Sequence, residues 1–327
     1  MPQDKRPYLG VDLGGTNIGV GVLSAQDEVL AQHRVKTKAQ EGPQAVLDRI
    51  AQAADEVLKQ AGFKRSQVGG LGIGAPGAVD VAAGVVLQAV NLRWTHMPLA
   101  EQLTQRLGMP VVVDNDVNAG TWGEFCLGAG RGGQDLLGVF VGTGVGGGLV
   151  LNGRLFHGPC LTAGEIGHTV LNADAPLGRQ TVENLASRAA IANQLTQLIQ
   201  SNHPSRLPEL AGGKLKKIRS GLIAQAYQAG DELTIRVVHQ AARYIGAAVA
   251  NAVNLLSLSR VVLGGGLSQA LGEPWLHQVQ AAFQEHAFPP ELGDRCQIAL
   301  CGLGDLAGVI GAALLARQRL QNPPRTT

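Results

Sequence analysis

The sequence predicts an α/β protein built from two similar halves. Strand-like apolar runs alternate with amphipathic helical segments, as in layered folds whose sheets are largely covered. The run Leu9–Gly14 recurs in similar form as Leu137–Gly142, and each copy is followed by a small-residue turn and another β-rich run. The 327 residues are enough for two domains of about 150 residues each. We therefore expect a duplicated α/β unit.

Each half combines strands with helices. The predicted strands are Tyr8–Asp12, Ile18–Leu23, Val29–Lys36, Val68–Ile73, Val111–Asp114, Leu137–Val141, Leu149–Leu151, Arg260–Leu263 and Gln297–Leu300. The predicted helices are Pro43–Ala61, Leu99–Leu107, Asn115–Phe125, Val182–Gln200, Gly221–Gly230, Glu232–Leu256, Trp275–His286 and Leu306–Leu320. Loops are expected at Gly74–Gly77 and Asn202–Ile218, where glycine and proline interrupt the pattern.

Composition and charge exclude several classes of protein. The 27 basic and 25 acidic residues give a net charge of +2, which is not the footprint of a strongly basic nucleic-acid binder. The four cysteines form no CxxC pair, so we expect small buried thiols rather than a disulfide framework. Because we find neither a membrane-length apolar stretch nor a signal peptide, we predict a cytoplasmic protein without a membrane partner.

The first of three glycine-rich turns follows the first predicted strand, at Asp12–Thr16. Glycines let backbone N–H groups approach an anion, and Thr16 adds a hydroxyl donor. Asp12 beside an anion site is explained if a divalent cation lies between them. The alternative is a polar hairpin turn.

The second turn, Gly142–Gly148, satisfies the pattern GxGxxG. A dinucleotide site requires a helix next, whereas the following Gly148–Leu151 is β-like and Asn152-Gly153 is typical of a hairpin. Protein-kinase partner motifs are missing, and no P-loop is found because Gly213-Lys214 precedes leucine. Phosphate binding by backbone donors in a hairpin is the best interpretation.

The third turn, Gly264–Gly266, follows the strand-like run Val261–Leu263. In open α/β sheets ligands bind at this end of the strands. A turn that simply starts a helix is the alternative.

Polar residues between these turns could hold a polyol. Asp116, after a buried strand, can accept a hydroxyl proton, although a helix N-cap also explains it. Glu165 and His168 can clamp neighbouring hydroxyls, or His168 can bind a metal. Asn91 suits hydroxyl recognition, and Glu183 can be explained as a first-turn acid. Because phosphoryl transfer requires positioning and charge neutralisation, this set indicates a small-molecule hydroxyl kinase.

In this order the motifs resemble those of the ROK sugar kinases over nearly the whole chain. The motifs are Asp12–Thr16, Gly74–Gly77, Asn115–Ala119, Gly142–Gly148, Glu165–His168 and Gly264–Gly266. The resemblance implies an actin-like ATPase (ribonuclease H-like) fold with two similar α/β domains around a cleft. The resemblance implies a small N-terminal domain, formed by residues 1–117 and joined by the C-terminal helix at about 303–327. It implies a large domain formed by residues 118–302. It also implies a homodimer and ATP-dependent phosphorylation of a hexose 6-hydroxyl, most often that of glucose.

The resemblance also assigns roles to residues. Asp116 would be the general base, and Asp12 would hold magnesium through water. Sugar hydroxyls would be bound by Asn91, Asn115, Asp116, Glu165, His168 and Glu183. ATP would be bound by Asp12, Gly14, Gly15, Thr16, Asn17, Gly142, Thr143, Gly144, Gly264, Gly265 and Gly266. The family often has lysine where this chain has Asn17.

A larger departure follows His168. Most of the family carries a CxCGxxGC loop that binds structural zinc, whereas the shorter Pro176–Glu183 contains no cysteine. We therefore predict no zinc and expect His168 to serve the sugar alone.

Other functions stay open on the sequence. A sugar-responsive repressor of this family would carry a helix-turn-helix module before the first glycine turn, and only seven residues precede Tyr8. A non-catalytic sugar sensor is a further alternative, as is an N-acetylhexosamine or fructose kinase. Polyphosphate could replace ATP if a basic cluster tracks it; that cluster is Lys214, Lys216, Lys217 and Arg219.

Overall fold

The computed structural model describes residues 5–213, 215 and 218–322. The chain forms two compact units. The first unit contains the chain up to Gly132, the segment Leu155–Ala163 and the chain from Asp305 onward, and the second contains Gly133–Arg154 and Gly164–Gly304. Lys214, Lys216 and Lys217 of the predicted basic cluster lie outside the described residues.

Strands and helices alternate along the chain. The strands are β1 (Tyr8–Leu13), β2 (Asn17–Leu23), β3 (Val29–Lys36), β4 (Leu71–Ala75), β5 (Ala78–Asp80), β6 (Val85–Ala89), β7 (Trp94–Met97), β8 (Val111–Asn115), β9 (Leu136–Val141), β10 (Val145–Leu151), β11 (Arg154–Leu155), β12 (Arg260–Gly264) and β13 (Gln297–Leu300). The helices are α1 (Pro43–Ala61), α2 (Leu99–Leu107), α3 (Asp116–Leu127), α4 (Val182–Ala186), α5 (Arg188–Gln200), α6 (Leu207–Leu210), α7 (Ser220–Gln228), α8 (Glu232–Leu256), α9 (Gly265–Leu271), α10 (Glu273–His286), α11 (Pro290–Gly293) and α12 (Ala307–Gln321).

The two large sheets have the same strand order. The first runs β3-β2-β1-β4-β8 and the second runs β11-β10-β9-β12-β13. In the first sheet β1 pairs antiparallel with β2 and parallel with β4. In the second sheet β9 pairs in the same way, antiparallel with β10 and parallel with β12. The recurrence of Leu9–Gly14 as Leu137–Gly142 therefore marks equivalent strands, β1 and β9, and the expected duplication is confirmed.

Alternation along β1 sends its side chains to two different layers. Leu9, Val11 and Leu13 are buried in a core with residues of α1. Gly10 faces the other way, and a Cβ added there would overlap the Val309 carbonyl of α12. A glycine in this strand thus lets the last helix approach the sheet backbone closely, and that helix carries the end of the chain back to the first unit.

The ends of α1 show how the sequence sets helix boundaries. Pro43 occupies the first turn, where its missing N–H costs no hydrogen bond. Gly62 ends the helix at φ +77°, a left-handed conformation in which glycine is unstrained.

Several predicted elements differ from the structure. The strand predicted at Val68–Ile73 begins only at Leu71 and runs through Gly74 and Ala75, which were expected in a loop. The single helix predicted at Val182–Gln200 is broken at Ser187, whose extended backbone and side chain cap α5 by accepting the Ala190 N–H at 3.1 Å. The sequence prediction also missed α9, and the small third sheet β5-β6-β7.

The cysteines are free thiols, as expected, but they are not all buried. Cys160 is exposed, which contradicts the expectation of a buried side chain. Burial raises the pKa of Cys126 to about 12 and that of Cys296 to about 11.

No helix among the described residues has the length and apolar character needed to cross a membrane. The predicted boundary between residues 117 and 118 falls inside α3, and the division into domains stays a prediction.

Candidate functional site

The first glycine turn lies at the carboxyl edge of the first sheet. Asp12 of β1 is in register with Gly74 of β4, and Gly74 with Asp114 of β8. A Cβ added at Gly74 would come within 3.0 Å of the Asp116 Cα. The strand ends therefore gather Asp12 and the start of α3 at one edge, which is where ligands bind in α/β sheets.

Hydrogen bonds close the turn itself. The Gly14 N–H donates to the Asn17 carbonyl at 2.9 Å, and the Thr37 hydroxyl donates to the Gly14 carbonyl at 2.6 Å. The Asn17 side chain accepts from Lys36 Nζ at 2.9 Å. Sequence reasoning missed Lys36, which pairs with Asn17 across β2 and β3 and brings an ammonium group to the turn.

Asp12 has an unusual electrostatic environment. Burial, together with the nearby negative charges of Asp116 and Asp305, raises the pKa of Asp12 to about 7, and Arg34 only partly opposes this. A buried carboxyl beside other carboxylates is hard to ionise without a cation nearby. A divalent cation suits such a site, because its positive charge offsets the repulsion between the carboxylates. Magnesium takes one or two protein carboxylates together with phosphate oxygens, and the residues present fit such an ion.

At the start of α3, the residue that caps the helix and the residue predicted to accept a proton are different. Asn115, not Asp116, is the N-cap: its Oδ1 accepts the N–H groups of Val117 at 2.8 Å and Asn118 at 3.1 Å. The alternative interpretation of Asp116 as the N-cap is therefore wrong, since Asp116 is the first residue of the helix. The Asn115 amide nitrogen also donates to the Gly77 carbonyl at 3.0 Å, which leaves one of its two hydrogens for a ligand.

Asn91 lies against the same turn. It is exposed in a short 3-10 helix at Val90–Leu92. A Cβ added at Gly15 would lie 3.0 Å from the Asn91 Cβ. The first unit thus brings together a predicted phosphate-binding glycine and a predicted sugar-binding side chain.

The second glycine turn is shorter than predicted. Only Gly142–Gly144 form the turn, closed by a 2.9 Å bond from the Gly142 N–H to the Gly144 carbonyl. The glycines that follow belong to β10, which begins at Val145. Thr143 at the tip is exposed.

Side chains from α4 and α5 hold this turn. Glu183 Oε2 accepts the Val145 N–H at 2.9 Å. Arg188 donates from Nη2 to the Thr143 hydroxyl at 2.8 Å, and its backbone N–H donates to the Gly142 carbonyl at 2.9 Å. The break in the predicted helix at Ser187 is what starts α5 at Arg188. Arg188 was not predicted as a site residue, because its partner is remote in sequence.

Glu165 precedes a short 3-10 turn at Ile166–His168, and His168 ends it. Both side chains are exposed, and His168 Nε2 lies 4.0 Å from Glu165 Oε2. A Cβ added at Gly167 would overlap the Val145 carbonyl, so this turn packs on the start of β10. The second unit thus places the Ile166–His168 turn and the Glu183 side chain against Val145, which follows the second glycine turn.

The third glycine run spans the end of β12 and the first turn of α9. Gly264 is the N-cap, and Gly265 has φ +83°. A Cβ at Gly265 would collide with the Val141 carbonyl of the neighbouring β9. The run is therefore a turn that starts a helix, and it follows the strand beside the second glycine turn.

The loop after His168 is closed by an amide side chain. Gln180 Nε2 donates to the carbonyls of Ala173 at 3.0 Å and Ala175 at 2.9 Å. The loop carries no cysteine thiolates for zinc. Among the described residues, no group of three or more His, Cys, Asp or Glu side chains is placed to hold a metal. The residues present do not fit a structural zinc site here.

The two large sheets share one strand order, and a glycine turn follows β1 in the first sheet and β9 in the second. This is the actin-like ATPase fold, which the solved ROK structures share. The chain belongs to the ROK family, whose profile matches residues 8–319. A glucokinase of Halalkalibacterium halodurans is 36% identical over 319 residues, which cover 96% of each chain.

Solved structures of the same family resemble the chain closely. A ROK family glucokinase from Streptomyces griseus, in complex with glucose and AMPPNP, has a TM-score of 0.84 at 34% identity and covers 95% of this chain and 99% of its own. A ROK hexokinase from Thermus thermophilus has a TM-score of 0.79 at 31% identity, with 97% and 99% covered.

Proposed function

We propose that the protein transfers the γ-phosphoryl group of ATP to the 6-hydroxyl of a hexose, with glucose as the preferred sugar. The observation that carries this proposal is the carboxyl pair at the edge of the first sheet, where burial and the charge of Asp116 raise the pKa of Asp12. One carboxylate to take a proton and one to hold a cation are what this reaction requires of side chains. The glucokinase relatives support glucose and ATP as the substrates.

Asp116 is the general base that accepts the proton of the attacking hydroxyl. One of its oxygens accepts the Val117 N–H at 2.9 Å, which orients the carboxylate at the start of α3. Asn115 donates its remaining amide hydrogen to the sugar. Further sugar contacts are assigned to Asn91, Glu165, His168 and Glu183.

The glycine turns bind ATP. The backbone N–H groups of Gly15 and Thr16 are the donors assigned to phosphate oxygens. Gly14 closes the turn through its own N–H to the Asn17 carbonyl, and Lys36 adds positive charge there. The second turn contributes Gly142, Thr143 and Gly144, and the third borders the adenosine with Gly264, Gly265 and Gly266.

Magnesium is assigned to Asp12, through water. When bound, the ion neutralises charge on the phosphate oxygens. Asp12 itself becomes ionised at neutral pH when a cation offsets the repulsion from Asp116.

A coupled ADP-release assay tests the proposed function. Purified protein and Mg-ATP are assayed with glucose, mannose, fructose, N-acetylglucosamine and N-acetylmannosamine, and with polyphosphate as an alternative donor. We expect glucose to have the highest kcat/KM. A higher kcat/KM for an acetylated sugar would reassign the substrate. If no ADP forms with any combination of sugar and donor, the kinase function is contradicted and a sugar sensor is favoured.

A cytoplasmic location and a homodimer are also proposed. The absence of a membrane-length helix among the described residues fits the first. Light scattering coupled to size-exclusion chromatography tests the second, for which a mass near twice 34.0 kDa is expected.

A further inference from the structure

Asp114 is a buried charge beside the proposed general base. It lies in β8, two residues before Asp116, and its side chain is 2% exposed. Its Oδ1 accepts the Asn115 N–H at 2.8 Å and the Asn118 side-chain amide at 3.1 Å. The carboxylate thus ties the end of the strand to the first turn of α3, which is the corner that carries Asp116.

Two further side chains hold this carboxylate. Arg319 of α12 donates to Oδ2 and also to the Val113 carbonyl at 3.2 Å. His157 Nε2 lies 2.9 Å from Oδ2 and 3.1 Å from Oδ1. Burial acts to raise the pKa of Asp114, but the hydrogen bond from His157 and the charge of Arg319 hold it below its usual value. Asp114 is therefore an ionised acceptor at neutral pH.

His157 comes from a separate part of the chain. It lies in Leu155–Ala163, which clusters with the first unit although the segments before and after it belong to the second. The His157 carbonyl accepts the Ala163 N–H at 3.2 Å. One residue therefore closes this loop through its backbone and contacts the buried carboxylate through its ring, which is 21% exposed.

We propose that His157 is a positioning residue: its Nε2–H orients the Asp114 carboxylate and thereby the corner that carries Asp116, a role that rests on the proposed kinase function. A buried ion pair adds little net stability, because desolvation offsets the attraction. A fixed carboxylate orientation, in contrast, matters to a general base, since small displacements of reacting groups cost large factors in rate. The Arg319 contact persists without His157, so Asp114 keeps a charged partner in a His157 variant.

The test compares three substitutions of His157. His157→Leu removes the donor. His157→Gln carries an amide nitrogen that reaches about as far as Nε2, whereas His157→Asn carries one that reaches only as far as Nδ1. Each variant is assayed for kcat, KM for ATP and KM for glucose, and amide hydrogen exchange is followed in the peptide that contains residues 111–118.

We expect kcat to fall at least tenfold in His157→Leu and His157→Asn, with KM for ATP within twofold of wild type and faster exchange at residues 111–118. His157→Gln should recover most of kcat and the slow exchange. If His157→Leu does not fold, the contrast between His157→Gln and His157→Asn decides the matter.

Two results overturn the role. An active wild type whose kcat is unchanged in His157→Asn would remove His157 from positioning and leave the kinase function intact. A wild type that phosphorylates none of the sugars would remove the kinase function, and the positioning role with it.

Discussion

At the scale of single residues, the Asp12 carboxyl determines how binding depends on pH. Its pKa of about 7 in the folded protein lies above the ordinary value of 3.8, so the folded state keeps a proton that the unfolded chain loses. Folding stability contributed by Asp12 is therefore complete below pH 3.8 and is lost as the pH rises towards 7. A cation binds the ionised form of Asp12, so cation binding becomes stronger as the pH rises.

We predict that Mg-ATP binds about tenfold more tightly at pH 8 than at pH 6, because the ionised fraction of Asp12 changes by that factor. Isothermal titration calorimetry at the two pH values measures this. In Asp12→Asn the pH dependence should disappear, and the ligand-free variant should be more stable than wild type at pH 8. The same pH dependence in Asp12→Asn would show that another group is responsible.

At the start of α3, the sequence predicted which residues lie there but not which of them caps the helix. Asp116 and Asn115 were predicted from an acid and an amide after a buried strand, but which of them caps α3 depends on backbone angles at one residue. Asn115 is extended, with φ −68° and ψ 147°, and only such a residue can cap. His157 and Arg319 could not be paired with Asp114 from the sequence, because no local pattern links residues so far apart.

At the scale of elements, the second glycine turn depends on the helix that follows the Ser187 break. Arg188 reaches the turn at Thr143 through its side chain and at Gly142 through its backbone. A second side-chain nitrogen, Nη1, donates to the Ile218 carbonyl at 3.3 Å. Mutation therefore removes both side-chain bonds and keeps the backbone bond to Gly142.

We predict that Arg188→Met raises KM for ATP several-fold and leaves KM for glucose nearly unchanged, because a loosened turn aligns fewer backbone donors with phosphate. The free energy of unfolding should fall by about 1 to 2 kcal/mol, because two side-chain hydrogen bonds are lost. Steady-state kinetics with each substrate varied in turn measures this, with Arg188→Lys as the control that retains a charge. A change confined to glucose would contradict the assignment of this turn to ATP.

Contact between α3 and α12 depends on glycine. A Cβ added at Gly311 of α12 would overlap the Ala119 carbonyl of α3, whereas a Cβ at Gly221 of α7 would meet nothing within 4 Å. These two helical glycines therefore form a matched pair for substitution.

We predict that Gly311→Ala lowers the free energy of unfolding by more than about 3 kcal/mol, because two helix backbones must separate. Gly221→Ala should be neutral or stabilising by up to about 1 kcal/mol, as alanine favours a helix. Urea denaturation followed by circular dichroism measures both. Equal effects in the two variants would contradict the close packing of α3 and α12.

The longest helix was predicted with its bounds, whereas the short strands of the third sheet were missed. The 25-residue α8 matches its predicted bounds, because an apolar stripe extends along it and Asp231 caps it through the Thr234 N–H at 2.7 Å. Strands such as β5, with three residues, are too short to show alternation. Their pairing is determined by neighbouring strands and not by their own sequence.

At the scale of the whole molecule, the two similar halves follow from a repeat that the sequence itself carries. The strand that opens each sheet contains glycine at the same place, Gly10 and Gly138, and ends in a glycine turn. What the sequence did not predict is that Leu155–Ala163 clusters with the first unit, because membership of a unit depends on contacts remote in sequence.

The loop after His168 predicts independence from zinc. Incubation with a zinc-selective chelator, followed by thermal unfolding in the absence of magnesium, should leave Tm unchanged, because Gln180 closes the loop without metal. Gln180→Leu should lower Tm, and Gln180→Glu, which keeps the shape but not the donor, should do the same. A fall in Tm on chelation alone would mean that zinc is bound at a site formed by other residues.

The central claim is phosphoryl transfer from ATP to a sugar 6-hydroxyl with Asp116 as the base. The most direct measurement is the NMR spectrum of the product formed from glucose and Mg-ATP by wild type and by Asp116→Asn, after calorimetry has shown that both proteins bind glucose. The account predicts glucose 6-phosphate in equal amount to ADP for wild type, and a rate reduced by about a hundredfold or more for the variant. A phosphate on another hydroxyl, or a fully active variant, would contradict it.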